Sequence, residues 1–449
     1  MADLLISVSG IRGVVGEALT TDVAAGYAAA FGTFLKGGRV AIGSDTRRSG
    51  PMIKSSATAG LLSVGCDVVD IGICPTPTVE TAVRDGGFAG GIAVTASHNP
   101  DKYNALKLIG AGGLFLSEKQ GMKVKNIYDG GATRYKTWDK VGALSFQTDW
   151  IERHIKNILD LEIISPKLIK DRRLRAVVDC VGGTAARMGE EFFTRLGVDF
   201  KMINTEISGR FPHPPEPAPE NLSDLCGAVT MEKADIGFAF DPDADRLAVV
   251  SEKGIPLGEE YTLALGSRSI LGKNPGPMVV NMSSSLINDF VAREAGVRLY
   301  RTKVGERNVT EKLMRIKGAV GGEGNGGLIF PKLHWGRDGF LAAAVITQYL
   351  AESKSKISAL AGELPTYVML KNRMHVTRRD LLKKSQAVIR VLPAGKINRD
   401  DGLRVSGDDW WVQIRVSNTE PIARLMAEAK NAEQAGQLVD AVKSVFRGK

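Results

Sequence analysis

A chain of 449 residues has room for roughly three domains of about 150 residues each. Its 43% hydrophobic and 24% charged residues exclude a disordered, collagen-like or mainly transmembrane chain. The net charge of +9, from 59 basic and 50 acidic residues, favours acidic partners such as phosphorylated metabolites without choosing among them. Cys66, Cys74, Cys180 and Cys226 form no CxxC pair and no zinc-spaced cluster, so they read as reduced thiols in a cytoplasmic protein. There is no basic, apolar leader and no run of about 18 apolar residues, which predicts neither export nor a membrane span.

Residues 37–72 read as strand, polar turn, helix, Gly65 stop and second strand, with apolar runs at Val40–Ile42 and Val68–Ile71. The apolar run Ile92–Thr95 then delivers a polar turn, Ala96-Ser97-His98-Asn99-Pro100. Pro100 disfavours helix at Asn99 and leaves the Ser97 hydroxyl on a loop. A Ser beside a His also occurs in hydrolases, but no GxSxG surrounds Ser97, and neighbours in a turn rarely point at each other. Residues 148–152 open a charged helical stretch, and the basic run Lys167–Arg175 reads as a solvated surface. Residues 175–203 repeat the strand–helix–strand plan with Gly197 at the helix end, and the Pro-rich stretch 209–222 must be an extended loop.

Residues 238–250 place Asp241, Asp243 and Asp245 at alternate positions between two apolar runs. Three carboxylates so spaced repel one another unless a cation sits between them, and hard oxygen ligands in so small a group suit Mg²⁺. The Gly and terminal Glu of a calcium loop are missing, and Arg246 stands ready for a phosphate. A turn at 251–258 leads to a third unit, 278–300, with Gly296 at its helix end. In the Gly-rich segment 321–331, Glu323 and Asn325 are the side chains able to hydrogen-bond a sugar. After about residue 368 the chain changes to a smaller α+β tail. There Arg415, Ser417, Asn418 and Thr419 form a polar turn before a helix predicted to begin near Pro421, an arrangement suited to an anion.

In this order, TASHNP around Ser97, DPDADR, GEGNGG and RVSNTEP, with SGIRG at Ser9–Gly13, resemble the α-D-phosphohexomutase family over essentially the whole chain. The resemblance implies an α/β protein of four domains around a central cleft: three similar mixed-sheet α/β domains and a smaller C-terminal α+β domain. The expected divisions are 1–149, 150–253, 254–367 and 368–449. Ser97 would carry a phosphoryl group, and one Mg²⁺ per chain would be held by Asp241, Asp243, Asp245 and an oxygen on Ser97. By motif match, Arg12 and Lys107 assist proton movement and stabilise charge near Ser97, while His98 shapes the loop or contacts phosphate. Arg246, Glu323 and Asn325 would bind substrate, with Arg415, Ser417, Asn418 and Thr419 on the distal phosphate.

The implied reaction interconverts hexose 6-phosphate and hexose 1-phosphate through a bound 1,6-bisphosphate, which also serves as activator. The sugar loop lacks the terminal His of many members, which read GExSGH, and Val280–Ser285 lacks a Lys that some carry. With the following LHWGRDG, these departures resemble the archaeal-type phosphoglucosamine mutase branch and favour glucosamine phosphate over mannose or glucose phosphate. A sugar-phosphate-binding protein without catalysis, or a Mg²⁺-dependent phosphatase, are the other classes considered. No basic stripe with interleaved aromatics suggests nucleic acid. Monomer and homodimer both remain open.

Overall fold

The structure is a computed structural model that describes residues 4–7, 10–416 and 422–447. Four sheets follow one another along it. The first has eight strands. Its parallel part runs Gly90–Val94, Gly38–Ser44, Cys66–Ile73 and Leu144–Phe146, and Tyr103–Gly110 closes antiparallel on Gly90–Val94.

The second and third sheets are four-stranded copies of one plan. In the second, Arg175–Asp179 pairs in parallel with Asp199–Ile203 and Ile236–Phe240, and Leu247–Ser251 closes antiparallel. In the third, Met278–Asn281 pairs in parallel with Leu299–Thr302 and Val320–Glu323, and Gly327–Ile329 closes antiparallel. The three strand–helix–strand units read from the sequence are thus parallel pairs joined by the helices Gly50–Ser63, Ala185–Leu196 and Ile287–Glu294. Gly65, Gly197 and Gly296 all have positive φ at the helix exits, where a side chain would be strained.

This shared plan places the loops that carry the candidate site residues. In each unit one parallel strand, Gly90–Val94, Ile236–Phe240 or Val320–Glu323, turns back through a short loop into an antiparallel partner. Those three equivalent turns carry Ser97, then Asp241 to Arg246, then Glu323 to Gly327. They lie at the carboxyl ends of parallel strands, where α/β sheets bind ligands.

The fourth sheet is fully antiparallel, in the order Val368–Met374, Ala423–Ala429, Trp411–Val416, Leu403–Ser406 and Lys396–Asn398. The helix expected near Pro421 is not there: the chain from Ala423 is a strand. Ala423, Leu425 and Ala427 are buried at alternate positions, and Arg424 between them is exposed. Hydrogen-bonding strands flank it on both sides, so tertiary pairing overrides the local Pro signal. An anion site at a helix start is therefore ruled out there.

The second and third units share one core. Phe340, in the buried helix Gly339–Ser353, packs its ring 4.9 Å from that of Phe192 and 4.5 Å from that of Phe240. The first and fourth units have cores of their own. All four cysteines are free thiols, and among the described residues no helix is long and apolar enough to cross a membrane.

Candidate active site

Ser97 adopts a left-handed backbone, with φ of 50°, a conformation that costs a non-glycine residue energy and needs support from its surroundings. That support is Arg47. Its buried guanidinium donates from Nη2 to the carbonyls of Ser97 and Asn99, both at 2.6 Å, and from Nη1 to those of Pro100 at 2.7 Å and Tyr103 at 3.0 Å. Nε donates to Asp45 Oδ2 at 3.0 Å, so all five N–H donors are used. Thr95 Oγ1 donates to the same Asp45 oxygen at 2.6 Å and accepts from Ser97 N at 3.0 Å. Phe211, from the Pro-rich loop, lies across the guanidinium at 4.9 Å.

The Ser97 hydroxyl donates to Asp241 Oδ2 at 2.7 Å, joining two turns 144 residues apart. Contrary to the sequence expectation, His98 does reach its neighbour, with Nδ1 3.3 Å from Ser97 Oγ. Burial, then Arg246 and Arg12, push the His98 imidazole down to about 2, so it stays neutral and is a poor base. Arg12 Nη1 donates to Asn99 Oδ1 at 2.7 Å and braces the loop from the strand Gly10–Val14.

Asp241, Asp243 and Asp245 are buried, with carboxylate oxygens within 4.8 Å of one another. Each has a different partner set. Asp241 Oδ1 accepts from Arg246 N at 3.2 Å. Asp243 Oδ2 accepts from Lys107 Nζ and Thr76 Oγ1, both at 2.6 Å. Asp245 Oδ2 accepts from Arg337 Nη2 at 2.6 Å and from Lys107 at 3.5 Å. Asp243 Oδ1 and Asp245 Oδ1 are buried without any hydrogen-bond partner.

Two bare carboxylate oxygens beside a third carboxylate that grips a serine hydroxyl are what a divalent cation would satisfy, so the donor set fits a metal. The charge pattern agrees. Burial and then its two fellow carboxylates push Asp241 well up. Burial also opposes ionisation of Asp245, but Arg337 and Lys107 outweigh it and hold that carboxyl below its usual range. Burial lowers Lys107, yet Asp243 and Asp245 raise it above the ordinary ammonium value, so it remains cationic. Arg246 Nε is buried without a hydrogen-bond partner, 3.6 Å from Asp245 Oδ1.

In the sugar-loop hairpin, Glu323 is held on both oxygens. Oε1 accepts from Asn281 Nδ2 and Gly305 N, each at 2.8 Å, and Oε2 from Arg337 Nη1 at 3.2 Å. Asn325 Oδ1 accepts from the same nitrogen at 3.3 Å. Arg337 thereby ties the acidic loop to the sugar loop. It can pass because residue 327 is Gly: a Cβ there would lie 2.2 Å from Arg337 Cδ.

Arg415 lies on the strand Trp411–Val416, opposite Arg424. Ser417, Asn418 and Thr419 lie outside the described residues. Sequence reasoning missed Arg47, Thr76 and Arg337. Only Arg337 left a trace, in the segment LHWGRDG, where Asp338 announces a helix start beside it.

Comparison with known proteins identifies the family. Residues 4–134, 152–254 and 259–367 match the phosphoglucomutase/phosphomannomutase alpha/beta/alpha domains I, II and III, and residues 372–445 match the C-terminal domain. The chain is 38% identical to a probable phosphoglucosamine mutase of Methanopyrus kandleri, covering 98% of this chain and 97% of that one. It is 37% identical to a phosphoglucomutase/phosphomannomutase of Thermococcus kodakarensis, covering 97% of each. A crystal structure of a phosphoglucomutase/phosphomannomutase family protein from Burkholderia thailandensis superposes with a TM-score of 0.87 at 30% identity over 99% of both chains.

Proposed function

The chain belongs to the phosphoglucomutase/phosphomannomutase family, and from that premise we propose that it interconverts hexose 6-phosphate and hexose 1-phosphate through phosphorylated Ser97, with glucosamine phosphate as preferred sugar. It is an enzyme of the phosphohexomutase class, an intramolecular phosphotransferase. The observation that carries the site assignment is the 2.7 Å bond from Ser97 Oγ to Asp241 beside two bare carboxylate oxygens. We assign four domains to 1–149, 150–253, 254–367 and 368–449, and place the enzyme in the cytoplasm.

Asp241, Asp243 and Asp245, with a phosphoryl oxygen on Ser97, would hold one Mg²⁺. Such an ion supplies positive charge to the group in transfer. The Oγ–P bond of phosphoserine breaks as a P–O bond to the free sugar hydroxyl forms. The proton of that hydroxyl ends on Ser97 Oγ. Lys107 and Arg12 set cationic charge beside Ser97 and steer that exchange, and Arg246 takes a phosphate oxygen. His98 shapes the loop. The bound 1,6-bisphosphate then turns end for end and returns its other phosphoryl to Ser97. Arg415, Ser417, Asn418 and Thr419 hold whichever phosphate is not reacting.

The preference for an amino sugar is supported by the acidity of the sugar loop. Glu323 is joined there by Glu260, whose carboxyl sits against Gly324: a Cβ on residue 324 would lie 1.9 Å from Glu260 Oε1. Burial pushes Glu260 up to about 8, so a nearby substrate ammonium would favour its ionised form. The Thermococcus relative's name favours glucose or mannose phosphate as a second reading.

Phosphorus NMR tests both. The chain is given Mg²⁺, a trace of hexose 1,6-bisphosphate and, separately, the 6-phosphates of glucosamine, mannose and glucose. Fastest equilibration of the glucosamine compound, with none in Ser97→Ala, is expected. A faster mannose or glucose phosphate would replace the sugar and keep the mutase. Equal behaviour of the wild type and Ser97→Ala would remove the mutase reading.

A further inference from the structure

Away from the acidic triad, His154, His334 and Asp338 form a second cluster, wholly buried, where three parts of the chain meet. His154 lies on the helix Trp150–Leu159, Asp338 caps the helix Gly339–Ser353, and Thr78 lies on the helix Thr76–Asp85 of the first unit. Both ring Nε2 atoms reach Asp338 Oδ2, from His154 at 2.8 Å and from His334 at 3.0 Å. Asp338 Oδ1 accepts from Phe340 N at 2.9 Å and Leu341 N at 3.1 Å. His154 Nδ1 lies 2.8 Å from the Thr78 hydroxyl.

The tautomers identify what this cluster is. Gly336 N donates to His334 Nδ1 at 3.0 Å, so that nitrogen is bare and the ring proton sits on Nε2, pointing at Asp338. A metal ion on Nε2 would move the proton to Nδ1, against the Gly336 N–H. The carboxylate receives four donors and has no oxygen to spare. The cluster is therefore a closed hydrogen-bond junction and not a metal centre.

What it holds is the short loop between His334 and Asp338. Both ends are fixed to the same carboxylate, Gly336 is tied to His334, and the Trp335 carbonyl accepts from Thr310 Oγ1 at 2.7 Å. Arg337 is the residue left projecting from this loop. Its guanidinium spans Asp245, Glu323 and Glu306. A guanidinium that bridges two substrate-facing loops is useful only if its own backbone cannot shift.

We propose that His154, His334 and Asp338 are positioning residues that fix Arg337 and so set the spacing between the acidic loop and the sugar loop. The idea rests on the mutase reading only for its activity readout.

A double-mutant cycle on the full chain tests it, with His334→Ala, Arg337→Lys and the pair, and with His334→Gln as the conservative variant. His334→Ala should lower kcat/KM roughly tenfold or more, the scale of a lost hydrogen bond to a charged group. In the Arg337→Lys background it should cost almost nothing further, and His334→Gln, which keeps an N–H for Asp338, should recover most of the loss. The Mn²⁺ dissociation constant should shift in each single variant and no further in the pair. That second readout judges the junction even if the wild type isomerises no sugar phosphate. If His334→Ala does not fold, Thr78→Val replaces it in the same cycle. Additive losses, a change confined to melting temperature, or stoichiometric zinc that disappears with His334→Ala would overturn the proposal.

Discussion

Arg47 shows how much of this site rests on one buried side chain. Its five donors satisfy four carbonyls between Ser97 and Tyr103 and one carboxylate, of which the Pro100 carbonyl and Asp45 Oδ2 each have one further donor, Tyr103 N and Thr95 Oγ1. Arg47→Lys keeps the charge beside Asp45 but at most three of the donors. Stability should fall by about 3 kcal/mol, the scale of stranding buried polar groups. Urea unfolding measures that loss, and phosphorylation of Ser97 should slow with it as the left-handed turn loses its support. Glu260 has a pH signature of its own. Its carboxyl is raised from 4.5 to about 8, chiefly by burial. Below the lower value both the folded and unfolded chains hold the proton, and the group contributes nothing. Between the two values the unfolded chain has released the proton while the folded chain retains it, so stability declines as pH rises and the loss is complete above about 8. Glu260→Gln removes that decline. Its stability relative to wild type should rise steadily from about pH 5 to about pH 9 in denaturant titrations.

Elements differ in how plainly the sequence announces them. The three strand–helix–strand units were legible because each helix is followed by a glycine of positive φ and the strand entering each helix carries an apolar run. The triad was legible because alternate aspartates between strands have few uses. The strand Ala423–Ala429 was not legible. Its seven residues hold too few turns to show a helical period, Pro421 imitates a helix start, and only the strands on either side decide the matter. Arg337, Thr76 and the His154–Asp338 pair were hidden for a related reason. Their bonds to Asp245, Asp243 and Asp338 span 92 to 184 residues, and no local pattern encodes such a meeting. Gly60 makes the same point from packing. It sits in the helix Gly50–Ser63 against Thr21–Leu35, and a Cβ there would lie 2.1 Å from the carbonyl oxygen of Ala25. Gly60→Ala gains about 1 kcal/mol in helix propensity, but the clash is with backbone, which cannot rotate away. A net loss of about 1–3 kcal/mol should appear in thermal or urea unfolding.

At the scale of the molecule, polar contacts join the fourth unit to the third. The fourth sheet reaches the third unit through Glu428, whose Oε2 accepts from Trp411 Nε1 at 2.6 Å and from Leu286 N at 2.8 Å. Arg404 Nη1 donates to the Met282 carbonyl at 2.8 Å, and Ser283 Oγ to Gln413 Oε1 at 2.8 Å. These contacts carry the last unit against the strand end of the third, beside the sugar loop. The second and third units share one continuous core that carries the acidic loop and the sugar loop together, and Arg337 bridges the two loops. The serine loop is brought to them from a separately cored unit, through its bond to Asp241 and the Lys107 bridge.

That bridge also has a consequence for how the protein is made. Lys107 is buried in the finished protein, and its best partner, Asp243, leaves the ribosome 136 residues later. At roughly 5–20 residues per second, the ammonium waits on the order of ten seconds without that partner. A cation cannot enter a dry interior unpaired, so this end of the nascent first unit must stay open to water until the acidic turn arrives. The loop around Ser97 is therefore completed only after the acidic turn has emerged, although it is translated in the first quarter of the chain.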